Sequence, residues 1–204
     1  MPESSTDPKF WNTRYAAGRT PWDFGGVPAA LGRFVTTNAA TLRHGMRVLI
    51  PGCGSGYEIA AFAAAGCAVT AIDLSAVAVA RVRREFGALA SLRIVEGDFF
   101  TEKFSAAPFD LIYERTFLCA LPPALWPRMV ARTAELLRPG GVLAGFYLFG
   151  DKDDGPPFGL APDEPAKLFA AHFDLARDEA VPPAESLAFF AGRERWQERT
   201  HKKA

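Results

Sequence analysis

The chain has 204 residues, 49% hydrophobic and 23% charged, which is ordinary for one soluble domain with a large core. Lys plus Arg equals Asp plus Glu at 23 each, so no charge excess marks the chain for nucleic acid or an anionic membrane. Its three cysteines, Cys53, Cys67 and Cys119, fit neither a metal-ligand spacing nor a disulfide framework and read as reduced thiols of a cytoplasmic protein.

The N-terminus, "MPESSTDPKF", lacks the apolar core of a secretory signal. A helix follows from about Pro8 to Ala17, stopped by Gly18 and carrying Phe10, Trp11 and Tyr15. After "GRTPWDFGG", Pro28 starts a second helix toward Asn38. Arg47 to Ile50 reads as a short strand, "YEIAAFAAAG" as a helix ended by Gly66, and "CAVTAI" as the next strand. The apolar run from Ile59 to Ile72 is too short to span a bilayer. Ser75 is a good N-cap for "AVAVARVRREF", which Gly87 closes.

"SLRIVEG" and "FDLIYE" are strand-like, and "ALWPRMVARTAELL" is an amphipathic helix ended by "RPGG". "VLAGFYLF" is a buried strand, and 150–162 a loop rich in Gly, Pro and Asp. "DEPAKLFAAHF" is the last helix, with "DLARDEAV" and "FAGRERWQER" as closing strands. Such alternation of strand and helix argues a mostly parallel sheet covered on both faces, with ligands beyond the carboxyl ends of its strands.

The stretch "VLIPGCGSGYE" places Gly52, Gly54 and Gly56 on alternate positions after a strand. A dinucleotide fingerprint needs its third glycine one residue later, where Tyr57 stands, and a phosphate loop needs Gly-Lys-Ser/Thr. With no Lys or Arg in it, the loop suits a neutral or cationic ligand. Asp73 ends the next strand, 21 residues after Gly52, where a carboxylate accepts from the hydroxyls of a ribose or, more plainly, caps the following helix. Asp98, in "VEGDFF", ends the third strand, where an adenine edge would lie.

"PGCGSG", "AIDLS", "EGDFF" and "LLRPGG" resemble the motifs of class I S-adenosylmethionine-dependent methyltransferases. "FWNTRYAAGRTPWD", "IPGCGSGYE", "FDLIYERTFLCAL" and "GPPF" resemble, more narrowly, the thiopurine S-methyltransferase family and its thiol and halide methyltransferase branch. Pro51, where many class I enzymes carry an acid, agrees with the narrower family. The resemblance implies an α/β, Rossmann-like single domain over 1–204. Its seven-stranded, mostly parallel sheet would carry helices on both faces, with an N-terminal helical lid at 9–38 and a core at 45–200. It implies S-adenosyl-L-methionine as cofactor, held by Trp11, Tyr15, Trp22, Gly52, Gly54, Asp73, Asp98, Phe99 and Arg115. Trp22, Arg115 and Phe158 would face a small-molecule methyl acceptor, in a monomer without nucleic acid or membrane partners.

Trp11 and Tyr15 are four apart and share a helix face, so the lid reading competes with ordinary core packing. Where relatives carry Trp, Tyr15 keeps a π face. Arg115 is open to an ion pair with Glu114 or to steering an anionic nucleophile, a position where other relatives carry an aromatic hydroxyl. His44, His172 and His201 sit at no expected strand end, Cys119 reads as a buried small hydrophobe, and Glu58 as a first-turn carboxylate favoured by the helix dipole. No metal site is expected, and a soft anion such as a thiolate or halide requires no strong general base. Two alternatives stay open: an NAD-dependent oxidoreductase, and a domain that binds S-adenosylmethionine without turnover.

Overall fold

Asp7 starts the first helix, α1 (Pro8–Ala16), by accepting from the Lys9 amide at 2.8 Å, with Pro8 preset for the first turn. The computed structural model describes residues 4–42, 45–150, 154–190 and 192–203; His44 and part of the 150–162 loop lie outside them. The chain divides into two compact units, 1–106 and 107–204.

In the first unit, α2 (Ala29–Thr37) leads to β1 (Arg47–Pro51), α3 (Tyr57–Ala64), β2 (Ala68–Asp73), α4 (Ala76–Phe86) and β3 (Leu92–Glu96). β2 lies between β1 and β3, parallel to both, with Val48 opposite Val69 and Val69 opposite Leu92. β-Branched and leucine side chains at Val48, Leu49, Ile50, Val69 and Ile72 are buried, as the near-continuous apolar strands require. Ile59 and Phe62 of α3 and Val79 and Val82 of α4 are buried with no measurable exposure. Ser75 caps α4 as expected, accepting from the Ala78 amide at 3.2 Å.

The second unit contains β4 (Phe109–Arg115), α5 (Trp126–Leu136), β5 (Leu137–Leu148), α6 (Glu164–Phe169), β6 (Phe173–Ala180) and β7 (Glu194–His201). β4 and β5 are parallel, whereas β7 runs antiparallel to β5 on one side and to β6 on the other. Among the described residues the sheet has seven strands in the order β3-β2-β1-β4-β5-β7-β6, mostly parallel, as the alternation predicts. Among the described residues no helix is long and apolar enough to cross a membrane.

Three boundaries differ from expectation. β5 begins at Leu137, directly after α5, and "RPGG" lies within it: Leu137 pairs with Phe109 and Val142 with Leu111, so residues 138–141 bulge. α6 ends at Phe169, because Phe173 is already the first residue of β6; His172 lies in the turn between them. β7 runs from Glu194 to His201, starting later and ending two residues beyond the expected strand.

Candidate active site

The loop from β1 to α3 passes through Gly52, Gly54 and Gly56 at φ of +58°, +50° and +75°, conformations that cost other residues roughly 1–2 kcal/mol each. Space gives the last two a second reason. A Cβ on Gly54 would stand 2.8 Å from the Tyr15 hydroxyl, and one on Gly56 2.9 Å from Ile59 Cδ1 and 3.0 Å from Val82 Cγ2. Gly56 thus lets α3 pack against α4, the task of a third fingerprint glycine although it comes one residue early. Gly54 keeps the backbone open beneath Tyr15.

Asp73 reaches from the end of β2 to this loop. Its Oδ2 accepts from the Gly54 amide at 2.9 Å and its Oδ1 from the Ser75 amide at 2.8 Å. Burial raises its carboxyl above the usual carboxylate range, opposed by those backbone bonds. Each oxygen retains a lone pair for a further donor. Asp73 therefore fixes the glycine loop, a role that neither ribose binding nor helix capping had suggested, and Ser75 is the cap. The Gly97 amide donates to the Asp73 carbonyl at 3.0 Å, tying the turn after β3 to the same strand end. In that turn Asp98 is exposed and accepts from the Phe100 amide at 2.8 Å, while Phe99 is buried against Phe100 and Phe104.

The aromatic residues of the N-terminal segment meet as the helical spacing requires. Trp22 stands edge-on to Trp11 at 5.4 Å and to Tyr15 at 5.9 Å, and its Nε1 donates to the Tyr15 hydroxyl at 3.4 Å. Burial, with Asp73 adding to it, lifts the Tyr15 phenol well above its ordinary value, so it stays neutral. Two latches escaped the sequence reading. Asn12 Oδ1 accepts from the Ser75 hydroxyl at 2.7 Å and the Val77 amide at 3.3 Å, so α1 supplies a second cap to α4. Asp23 Oδ2 accepts a short hydrogen bond from the Ser55 hydroxyl and faces Arg81 at 3.6 Å. Both Asn12 and Asp23 lie in "FWNTRYAAGRTPWD", but neither has a local partner that would mark it.

These residues fit S-adenosylmethionine. The loop offers backbone and no cation, Arg81 is engaged by Asp23 and the Tyr57 hydroxyl, and the Tyr15 hydroxyl, with Trp22 bonded to it, lies against Gly54. A sulfonium with a ribose and no phosphate matches that donor set; a pyrophosphate does not.

In the second unit, Arg115 ends β4 in a different ion pair from the one considered above. Its partner is Glu194 of β7 at 3.8 Å, and its guanidinium lies 4.2 Å from the centre of the Phe146 ring. Glu114 instead turns forward: its Oε1 accepts from the Phe117 and Leu118 amides at 2.9 and 2.7 Å. Between them Thr116 adopts a left-handed φ of +58°. The Phe158 amide donates to the Cys119 carbonyl at 2.7 Å, docking the "GPPF" loop on this turn, with the Phe158 ring folded against Gly155. Burial pushes the Cys119 thiol up, and Glu114 and Glu194 add to it, so it is no thiolate nucleophile. An open groove of about 780 Å³ beside α6, β6 and β7 is lined by Phe173, Leu175, Gln197 and Arg199 and holds none of the sequence-derived site residues. Among the described residues no group of His, Cys, Asp or Glu could hold a metal ion.

A sheet of this order, with a cation-free glycine loop and an acid closing the second strand, is that of the class I S-adenosylmethionine-dependent methyltransferases. The structure of the 1,6-didemethyltoxoflavin-N1-methyltransferase of Burkholderia thailandensis shares the fold at a TM-score of 0.71 and 24% identity, over 96% of this chain and 87% of that one. The model of the thiopurine S-methyltransferase (TPMT) family matches residues 6–202, and the chain belongs to that family. It is 35% identical to the probable thiol methyltransferase 2 of Arabidopsis thaliana, over 87% of this chain and 80% of that protein. It is 32% identical to the thiocyanate methyltransferase 1 of Brassica oleracea, over 74% and 67% respectively. The protein is an S-adenosylmethionine-dependent methyltransferase.

Proposed function

We propose that the protein methylates a small soft nucleophile: a thiol, thiocyanate, a halide or a thiopurine-like heterocycle. The observation that carries this reading is the cation-free glycine loop held by Asp73 beneath Tyr15 and Trp22. When bound, S-adenosylmethionine supplies an electrophilic methyl group on a sulfonium. Gly52 and Gly54 admit it by backbone, the free lone pairs of Asp73 accept from its ribose, and Asp98 and Phe99 receive the adenine. Trp11, Tyr15 and Trp22 cover it, each aromatic face attracting the cation by roughly 0.5–2 kcal/mol. Arg115 steers an anionic acceptor and Phe158 walls its pocket. The enzyme works in the cytoplasm as a single domain and a monomer, on a small molecule and not on nucleic acid.

The similarity to proteins named as thiol and thiocyanate methyltransferases supports the acceptor class. Chemistry supports it too, since a soft anion arrives ready to attack whereas an alcohol needs a strong base. Calorimetry with S-adenosylmethionine and S-adenosylhomocysteine is expected to give about one site per chain. A panel of hydrosulfide, an aromatic thiol, thiocyanate, iodide and a thiopurine then identifies the acceptor. Turnover of a simple alcohol with every thiol and anion inert would refute the acceptor class.

A further inference from the structure

The groove beside α6, β6 and β7 holds no residue given to the cofactor or to the methyl acceptor. Its floor is the antiparallel ladder of β6 and β7, where Leu175 stands opposite Arg199 and Asp178 opposite Gln197. Opposed residues share a face of the sheet, and all four line the groove. Pro165 and Ala166 of α6, with Ala170 just beyond it, add an apolar wall. At about 1.5 Å per residue the six residues of α6 span about 9 Å, against about 26 Å for the eight of β6. The helix is too short to roof the ladder, and Leu175 is left 51% exposed.

Arg199 is the unusual group in that floor. It is 3% exposed, yet among the described residues no carboxylate is paired with it. Gln197 Oε1 accepts from its Nη2 at 2.7 Å, the Phe169 ring centre lies 4.1 Å from its guanidinium carbon, and its Nε has no hydrogen-bond partner. The acids that line the groove with it are committed elsewhere. Asp178 accepts from Arg195 Nε at 2.6 Å, Asp174 faces Lys202 at 3.7 Å, and Glu194 faces Arg115 at 3.8 Å. Burial lowers the Arg199 guanidinium from its ordinary value, with Tyr147 and Asp178 opposing. A buried cation without a counter-ion is costly unless a partner reaches it, and this one lines an open groove.

We propose that the groove binds a small monoanion with an apolar chain, a medium-chain carboxylate, with its head group on Arg199. Gln197 uses one of the five guanidinium donors, which leaves a fork that a carboxylate matches. Leu175, exposed and directly opposite, needs only a change of rotamer to uncover that fork. Leu175, Pro165, Ala166 and Ala170 then take the chain. A dianion such as phosphate is disfavoured, because Asp174, Asp178 and Glu194 line the same groove and repel a second charge.

Octanoate, titrated into isotope-labelled protein and followed by amide shifts, is expected to give a saturable response centred on residues 164–180 and 194–202. A hydrogen bond to a charged group is worth roughly tenfold or more, so octanol should bind about tenfold more weakly, as should acetate, which lacks the chain. Leu175→Glu sets a carboxylate opposite Arg199 at a half-exposed position that tolerates substitution. It should weaken octanoate by about tenfold or more and raise the melting temperature, since the guanidinium gains its missing partner. The uncharged Leu175→Gln should weaken octanoate far less and leave the melting temperature where it was. Octanol or acetate binding as tightly as octanoate would overturn the proposal, the first leaving only an apolar cleft and the second only an ion site. Equal effects of the two substitutions, or no saturable shift at all, would overturn it as well.

Discussion

Replacing Gly54 by Ala probes the contact between the N-terminal segment and the glycine loop. At φ +50° the substitution carries roughly 1–2 kcal/mol of backbone strain wherever the neighbours stand. Its Cβ also falls 2.8 Å from the Tyr15 hydroxyl, closer than real Cβ atoms come, so the ring must move. Moving it gives up the Trp22 hydrogen bond, about 0.5–1.5 kcal/mol, and part of an edge-to-face contact of similar size. Removing only the hydroxyl relieves the clash, since the next atom of Tyr15 is 3.9 Å away. Tyr15→Phe should therefore rescue Gly54→Ala in part. In a cycle of four proteins, followed by denaturant unfolding, the double variant is expected to be about 1–2 kcal/mol more stable than additivity predicts. Affinity for S-adenosylhomocysteine should show coupling of the same sign. Additivity within ~0.3 kcal/mol would mean that the hydroxyl does not sit on Gly54, and the account of this face would fail.

Asp73→Ala is expected to weaken S-adenosylmethionine binding by roughly 1.5–3 kcal/mol, read by calorimetry; unchanged affinity in a folded variant removes its ribose role. Amides of residues 9–24 should exchange more slowly once S-adenosylhomocysteine is saturating, and equal rates would reduce the three aromatics to plain packing. Because the Glu114 carboxyl sits near 7 when folded against an ordinary 4.5, the folded protein binds the extra proton between those values. Its contribution is complete below about pH 4.5 and is lost as pH rises through 7, so Glu114→Gln should gain up to about 3 kcal/mol on wild type at pH 8 and nothing at pH 4.5. Arg115→Met leaves Glu194 buried without its cation and should cost about 3–5 kcal/mol in unfolding experiments.

What could be read from the chain was what is local in it. Gly52 to Gly56, Asp73 at a strand end and Ser75 before an apolar helix each signal through neighbours a few residues away, and the structure puts them together. The pairing of Arg115 with Glu194 spans 79 residues and depends on β7 running antiparallel beside β5, a register that no short window contains. Arg115 therefore looked like a partner for Glu114, the acid next to it, although adjacent strand residues point to opposite faces. Asn12 to Ser75 and Asp23 to Ser55 were hidden for the same reason. The "RPGG" bulge misled differently: residues expected to end α5 and to stand between it and the next strand instead swell the first residues of that strand.

The two latches bear on the tempo of the enzyme. If α1 and the loop after it swing away, α4 loses the Asn12 cap and Ser55 its bond to Asp23. At about 1 kcal/mol for each, the two latches together lower the open fraction roughly thirtyfold. Because the same bonds can persist over a bound cofactor, that fraction scales arrival and departure alike and leaves the equilibrium between them where it was. Asn12 and Asp23 then act as a clock rather than a clamp. Loosening either one would speed the escape of spent cofactor, and turnover would quicken wherever that escape is the slow step.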